Sequence, residues 1–367
     1  TLVGPGGARE VLRGHTSEVL GARFFPEGER LLTWGMDGQA FIFDVATGAV
    51  LHRLLHRGRG EVLCGRVFPR GDRVATCDWD GTDTIWNAAS GRPLAILERQ
   101  WPLDSIRFPG ELPSRGLDVF PAGDRIVTWG RRSAGMVYDA TTSAPRCELR
   151  IHGQDRRIHT ASVFPDGDRV LLSGTDEVGM HVWNVSSCVE VVSMDMGRVD
   201  WVEAAALLDG GRRAAAVHFG GAVAIWDTDS GALLRGVHRG TFVWMNQIIG
   251  MQASTMGDLF VTFSPTNVTV WSARSGSVVH SYADLEGSIQ GIGISPAGEV
   301  MAVCGDGWVS AWEMRSGDEL GGFAEGLALG DRCHVAVGLG TALDPVGIGS
   351  VSWHDLPRPQ SGVRQVM

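Results

Sequence analysis

The chain has 367 residues, in which 42 Asp and Glu stand against 32 basic residues, all of them Arg, for a formal charge of −10. With 44 % apolar and 20 % charged residues it is too apolar to be disordered, and its 51 Gly disfavour long helices and coiled coils while suiting many turns between short strands. The negative balance gives no general footprint for a nucleic-acid backbone, and a chain without Lys has no Schiff-base or P-loop lysine.

The opening TLVGPGGARE lacks the apolar stretch of a signal peptide. A chain that begins at Thr1 is expected to be processed, trimmed or cut from a longer product. Short strands follow. REVLR (9–13) is the first. VLGARFF then runs from Val19 to a Pro26-Glu27-Gly28 turn, RLLTW from Arg30 to Asp37-Gly38, QAFIFD from Gln39 to Ala46-Thr47-Gly48, and AVLHRLL closes the unit from Ala49. Asp-Gly and Thr-Gly between alternating apolar runs predict hairpins, because these turns need φ > 0 and glycine adopts it without strain.

The same unit recurs to the end of the chain. An aromatic followed by a small or polar residue appears at Phe43-Asp44, Trp86-Asn87, Tyr138-Asp139, Trp183-Asn184, Trp226-Asp227, Trp271-Ser272, Trp312-Glu313 and Trp353-His354, with gaps of 43, 52, 45, 43, 45, 41 and 41. A turn follows each of the first seven, ending at Gly48, Gly91, Ser143, Cys188, Gly231, Gly276 and Gly317. A second landmark keeps the same phase: FPEGER from Phe25, FPRGDR from Phe68, FPAGDR from Phe120, FPDGDR from Phe164, and a weaker SPAGEV from Ser295. One four-stranded sheet cannot bury both its faces, so the units must stack on one another.

The stretch from Gly14-His15 to Phe43-Asp44 resembles a WD40 repeat, whose marks are a Gly-His pair, a period of 40–45 residues and a closing Trp-Asp. The resemblance reaches nearly the whole chain in spacing and turn residues and is looser in the dipeptides. It implies an all-β propeller of four-stranded antiparallel blades around a channel. Eight blades are expected, with seven as the alternative, in one domain over 1–354 followed by a C-terminal tail, 355–367. The strand at 9–13 would pair with the last blade and close the ring, since the tail from Asp355 carries two prolines and makes a poor strand. The eighth unit is the weakest, because 326–347 has lost the FPxGDR turn. The long gap of 52, in the third repeat, comes from extra residues within 100–116, a proline-rich loop containing Trp101; it is either surface decoration or a partner-contact loop.

In well-formed repeats of this family a His, a Ser or Thr, an Asp and the Trp form a buried hydrogen-bond chain. Carried over, this implies His15, Thr33 and Asp37 in the first repeat, where Phe43 has no indole N–H. It implies Thr76, Asp80 and Trp86 in the second, with His56 two positions off. The fourth offers Ser173 and Trp183, and the seventh Asp306 and Trp312 with Ala302 in place of the hydroxyl. The fifth and sixth lack most polar members. These His–Asp pairs are expected to hold turns and not to act as catalytic dyads. Trp34 and Trp129 are expected to pack between blades.

Partner-facing positions of the family fall at the residue before the turn Asp and just ahead of the innermost strand. They map here to Met36, Trp79, Arg131, Asp176 and Phe219, with Arg132 and Glu18 adding charge beside them. Trp, Met and Arg are favoured at interfaces. Trp79, between Asp78 and Asp80, either points outward or folds back over its own blade.

No HExxH, GxSxG or GxxxxGKS motif occurs, and the eleven His are spread along the repeats. No catalytic residue, metal site or cofactor is therefore expected. The six cysteines lie far apart in sequence and read as reduced, strand-buried thiols, which points to a reducing, cytoplasmic compartment. No uncharged apolar run reaches the ~18 residues of a membrane span; the longest candidate, 335–351, is broken by Asp344 and Pro345. The expected function is a non-catalytic scaffold or assembly subunit for one or more protein partners, without nucleic-acid backbone binding or membrane insertion. The alternatives are an enzyme or small-ligand sensor using the channel mouth, or a regulatory module cut from a longer multidomain chain.

Overall fold

The computed structural model describes residues 12–56, 60–97, 116–130, 134–151, 158–174, 179–195, 202–218, 222–237, 250–254, 257–283, 288–295, 298–305 and 308–324, with 2–3, 9–10, 248, 285 and 364–365. Seven antiparallel sheets follow in chain order. The first comprises Val19–Phe24, Arg30–Gly35, Gln39–Asp44 and Val50–Leu55. The second comprises Val62–Val67, Arg73–Asp78, Asp83–Asn87 and Pro93–Leu97, and the third Gly116–Val119, Arg125–Trp129, Ala134–Asp139 and Pro145–Arg150. The fourth comprises Ile158–Val163, Arg169–Gly174, Gly179–Asn184 and Val189–Asp195, and the fifth Val202–Leu208, Arg213–His218, Val223–Asp227 and Leu233–Val237. The sixth comprises Gly250–Ala253, Leu259–Phe263, Val268–Ser272 and Val278–Ala283, and the seventh Ile289–Ile294, Val300–Gly305, Trp308–Glu313 and Glu319–Ala324. Each is a four-stranded meander, the propeller blade implied by the repeats. A single 3₁₀ turn, Asp209–Gly211, is the one helical element among the described residues.

Seven blades are described where eight were expected with seven as the alternative; the segment assigned to an eighth, with the insertion at 100–115, lies outside the described residues. Arg9–Glu10 pairs with Leu2–Val3 in a two-stranded sheet; the last blade, with which the strand at 9–13 was expected to close the ring, lies outside the described residues. The tail differs from expectation: Arg364–Gln365 pairs with Tyr282 and Ala283 and makes the sixth sheet five-stranded. Both tail prolines, Pro357 and Pro359, precede that strand.

The chain groups into two compact units, one built on Val11–Leu172 with Trp183–Val189, the other on Ser173–Val182 with Glu190–Met367. Within each unit the apolar faces are covered by adjacent sheets. In the first unit, Phe25, Leu32, Trp34 and Ile42 of the first sheet pack with Val62, Val74 and Trp86 of the second. Cys77, Ile85 and Leu97 pack with Leu117, Ile126 and Tyr138 of the third. In the second unit, Val217 and Ile225 pack with Phe260 and Trp271, and Val261 and Val270 with Met301, Val303 and Trp312. In the first sheet the second and third strands are buried except at Arg30 and Asp44, whereas the fourth exposes Val50, Leu51 and Leu55.

Close approach between sheets needs residues without a side chain. Trp34 lies over Gly21 of its own sheet and Gly65 of the next; a Cβ on Gly21 would sit 2.2 Å from the indole and one on Gly65 2.5 Å from it. Trp129 covers Gly116 in the same way, at 2.3 Å. Overpacking of this kind typically costs about 1–3 kcal/mol.

The FPxGDR landmark links the sheets of the first unit. Arg30, Arg73, Arg125 and Arg169 each place a guanidinium over the phenylalanine of the same turn, at 4.1, 4.2, 4.7 and 4.4 Å from Phe25, Phe68, Phe120 and Phe164. The fork then reaches forward. Arg30 Nη2 donates to Gly71 O at 2.9 Å, Arg73 Nη2 to Gly123 O at 2.7 Å, and Arg125 Nη2 to Gly167 O. Arg30, Arg73 and Arg125 therefore each tie their own turn to the next one.

The turns after the third strands have φ > 0 at their last residue in all seven sheets, including the non-glycines Ser143 (φ 60) and Cys188 (φ 57). The cysteine reading is corrected. Cys64 and Cys77, register partners in the second sheet, form a disulfide, as do Cys147 and Cys188, which join the third sheet to the fourth; Cys304 is also disulfide-bonded. Strand pairing and the repeat period bring together thiols that lie 13 and 41 residues apart. Disulfides persist in oxidising surroundings, so the cysteines no longer argue for a reducing compartment. Among the described residues no helix is long and apolar enough to cross a membrane.

Loss of the Cys147–Cys188 bond in Cys188→Ser is expected to cost about 4 kcal/mol from the 41-residue loop it closes, against about 3 kcal/mol for Cys64–Cys77. Thermal melts of the variants read the difference. Identical melts of the wild type with and without reductant would show that the bonds do not form.

Candidate functional site

Two chains of buried polar groups organise the first and second sheets. In the first, His15 Nδ1 lies 3.0 Å from both oxygens of Asp37, and Nε2 lies 2.8 Å from Thr33 Oγ1. Asp37 also accepts from the backbone N–H of Thr16 at 2.9 Å and of Gln39 at 3.2 Å, which fixes the turn. Phe43 offers no donor, and the edge of Phe41 packs on the imidazole at 4.7 Å instead.

In the second sheet the chain has one more member. Trp86 Nε1 donates to Thr76 Oγ1 at 2.8 Å, Thr76 Oγ1 lies 2.7 Å from His56 Nε2, and His56 Nδ1 lies 3.1 Å from Asp78 Oδ2. An indole can only donate and a carboxylate can only accept. With the imidazole neutral, the order Trp to Thr to His to Asp therefore has one polarity. The acid is Asp78, which also accepts from Thr82 N at 2.7 Å, and not Asp80, which is exposed at the turn. Relative to the first sheet, His56 and Asp78 have both moved two residues towards the N-terminus of their threonine. The separation of 22 between His and Asp is kept in both sheets. That equal spacing was the sequence signal for the pair.

The other positions diverge. Ser173 Oγ and the Trp183 indole N–H are each buried without a hydrogen-bond partner. Trp271 Nε1 donates to Thr262 Oγ1 at 2.8 Å, a Trp–Thr pair in a sheet that had been read as lacking most polar members. His181, its side chain 1 % exposed, bonds Glu190 Oε1 through Nδ1 at 2.8 Å. Trp312 is buried against Tyr282, ring to ring at 5.4 Å; burial, then Asp318, Glu313 and Glu319 push the Tyr282 phenol up to about 12. Asp306 lies outside the described residues.

The residue after each third-strand aromatic caps the turn that follows. Asp44 accepts from Thr47, Asn87 from Ser90, Asp139 from Thr142 and Asp227 from Ser230. The Thr47 hydroxyl and N–H hold Asp44 below the usual carboxylate range, and Ser230 does the same for Asp227. Arg146, with the N–H groups of Thr142 and Thr141, holds Asp139 far below it.

Of the expected partner-facing residues, Met36 and Trp79 are described. They occupy matching places at the ends of the second strands of neighbouring sheets. Met36 N donates to Glu18 O at 2.8 Å and Trp79 N to Glu61 O at 2.7 Å, so both are anchored to the residue preceding a first strand. Met36 is 37 % exposed and Trp79 half-buried, its Cβ close over Gly60. Trp101, Arg131, Arg132, Asp176 and Phe219 lie outside the described residues. Among the described residues no group of His, Cys, Asp and Glu is arranged to hold a metal ion. A cleft of about 220 Å³ beside Phe68, Arg70, Arg73, Asp124 and Thr141 is smaller than the ~300–1,000 Å³ of drug-sized ligand sites.

Residues 7–44 match the WD40 family model, described as WD domain, G-beta repeat. No curated protein matches the chain. Among solved structures, the crystal structure of the computationally designed Ika8 protein is similar, with 19 % identity and a TM-score of 0.67 over 85 % of this chain and 88 % of that one. The likeness shows the fold, an all-β propeller of four-stranded antiparallel blades. Because 1838 chains match in this way, the fold by itself selects no partner.

Thr76→Val leaves the Trp86 N–H without its acceptor and His56 without its hydroxyl, and is expected to cost about 2–4 kcal/mol, whereas Thr33→Val, which serves one partner, costs about 1–2 kcal/mol. Urea denaturation of both variants tests the order, and equal midpoints would refute the shared-hydroxyl account. The turn carboxylates give a pH dependence. Their folded pKa values lie below the unfolded ones, so their stabilisation is present above about pH 4 and is lost as pH falls through the folded values. The triple variant Asp44→Asn, Asp139→Asn and Asp227→Asn, an amide cap already used at Asn87, should lose less melting temperature between about pH 4 and pH 2.5 than the wild type. Parallel slopes would remove these groups from the account.

Proposed function

We propose that the chain is a non-catalytic docking module, a single propeller domain over 1–354, that holds one or more protein partners on the face carrying Met36 and Trp79. The observation that carries this reading is the matched pair itself. Two interface-type side chains stand at equivalent positions of adjacent sheets, each exposed in part and each anchored through its own N–H to a carbonyl across the sheet. A docking residue held by main-chain bonds loses little freedom when a partner arrives, which favours affinity. The His–Asp pairs support the same reading. Their side chains are 8 % and 2 % exposed in the first sheet and fully enclosed in the second, so no substrate reaches them, and their bonds go to turn N–H groups. Arg131, Arg132, Asp176 and Phe219 are proposed as further contacts from their repeat positions in the sequence, and Trp101 from its place in the insertion. The WD40 match of the first repeat supports a protein-interaction role, which is the family's usual one.

The test is quantitative affinity capture with the wild type and with Met36→Ala, Trp79→Ala and Arg131→Glu combined. Removing a central aromatic typically costs about 2 kcal/mol or more of binding, roughly thirty-fold. Specific partners should fall by that factor while the melting temperature holds. An unchanged set of partners at unchanged occupancy overturns the assignment of the face.

A further inference from the structure

The first strands of neighbouring sheets share a register counted from the phenylalanine of each FPxG turn. Two residues before Phe25, Phe68, Phe120 and Phe164 stand Arg23, Arg66, Asp118 and Ser162. Within the first unit the strand of Arg23 lies against that of Arg66, and the strand of Arg66 against that of Asp118. The three charged residues are therefore neighbours, at the end of the strands opposite to Met36 and Trp79: Arg23 is paired with Leu32, whereas Val19 is paired with Gly35 beside Met36.

Their bonds are unequal. Arg66 donates through Nε to Asp118 Oδ1 at 3.2 Å and through Nη1 to Gly65 O at 3.0 Å. Asp118 has other donors as well: Oδ1 also accepts from Val119 N at 3.1 Å and Oδ2 from Val163 N at 3.4 Å. Nη2 of Arg66 makes no hydrogen bond among the described residues. Arg23 is exposed and makes neither a hydrogen bond nor an ion pair among them. Although its side chain reaches solvent, its charge is resisted chiefly by Arg66, then by the crowding of neighbouring chain around it, and supported by Asp118, so that its pKa falls to about 10. It remains a cation at neutral pH, and two guanidiniums share one carboxylate in a chain whose balance is −10. An incoming oxyanion would supply the missing charge and accept the unused N–H groups in the forked geometry that arginine offers.

We propose that Arg23 and Arg66 form an oxyanion site on the first strands of the first two sheets, binding a carboxylate or phosphate group between Nη2 of Arg66 and the fork of Arg23, with Asp118 as the positioning residue for Arg66. The site is independent of the docking face, and its two sources of ligand, a free ion and an acidic peptide, are separable.

The experiment titrates the full chain at constant ionic strength with inorganic phosphate and, separately, with an acetylated and amidated tri-glutamate peptide; the tri-glutamine peptide is the neutral control. Wild type should bind at least one of the two saturably and bind the control not at all, and Arg23→Gln should weaken the binding at least tenfold. Arg23→Gln breaks no hydrogen bond, so its melting temperature without ligand should equal or exceed that of the wild type. Only the wild type should gain melting temperature from the ligand. Phosphate alone binding identifies a free-ion site, and peptide alone a carboxylate-peptide site; either supports the proposal. No saturable binding of either probe by the wild type, or equal binding by Arg23→Gln, overturns it. Met36→Ala should leave this binding unchanged, so failure here and failure of the docking face are read separately.

Discussion

A four-stranded antiparallel sheet whose middle strands are apolar on both faces can be covered only by another sheet. Most of the structure follows from that requirement. It sets the burial of the middle strands, places core clusters between successive sheets, and demands glycine where an indole must lie flat across the gap. The FPxGDR turn meets the same need at the rim: its arginine is held over its own phenylalanine by the ring's quadrupole, and the same guanidinium reaches the glycine carbonyl of the next turn. Local stacking thus preorganises a long-range bond.

The buried polar chains answer a different problem. Each turn between second and third strands leaves N–H groups that need acceptors, and a carboxylate can serve two of them if it is itself held by an imidazole. In the second sheet this arrangement is displaced by two residues without loss, because the histidine and the aspartate move together. The fourth sheet, where Ser173 and Trp183 keep buried polar atoms without partners, relies on apolar packing and, through Cys188, on a covalent link to its neighbour.

The repeat was legible in the sequence because its landmarks carry backbone demands. The position after each third strand needs φ > 0, and it could be assigned even where Ser143 and Cys188 replace glycine. The four-strand order followed from alternation and turn residues in the same way. What sequence could not show was the partner across a gap. Phe68 and Arg73 lie five residues apart, but the carbonyl that Arg73 reaches belongs to the following repeat. Asp78 was passed over for Asp80 because the turn was aligned in place of the His–Asp separation. The cysteines were read as free because their pairing depends on strand register and on repeat period, neither of which a search for short spacings detects. For the docking face, Met36 and Trp79 came from family position, and the structure adds their main-chain anchors.

Among the described residues two sets of indoles differ in their chemistry. Those of Trp86 and Trp271 donate to threonine hydroxyls, whereas those of Trp34, Trp129, Trp183, Trp226 and Trp308 have buried N–H groups with no acceptor. A chromophore enclosed in hydrocarbon without a polar contact emits at shorter wavelength than one in water. Trp34 and Trp129, buried against glycines of the first strands, are such lamps, so a parting of these sheets that admits solvent shifts their light to the red and gives an optical gauge of sheet separation.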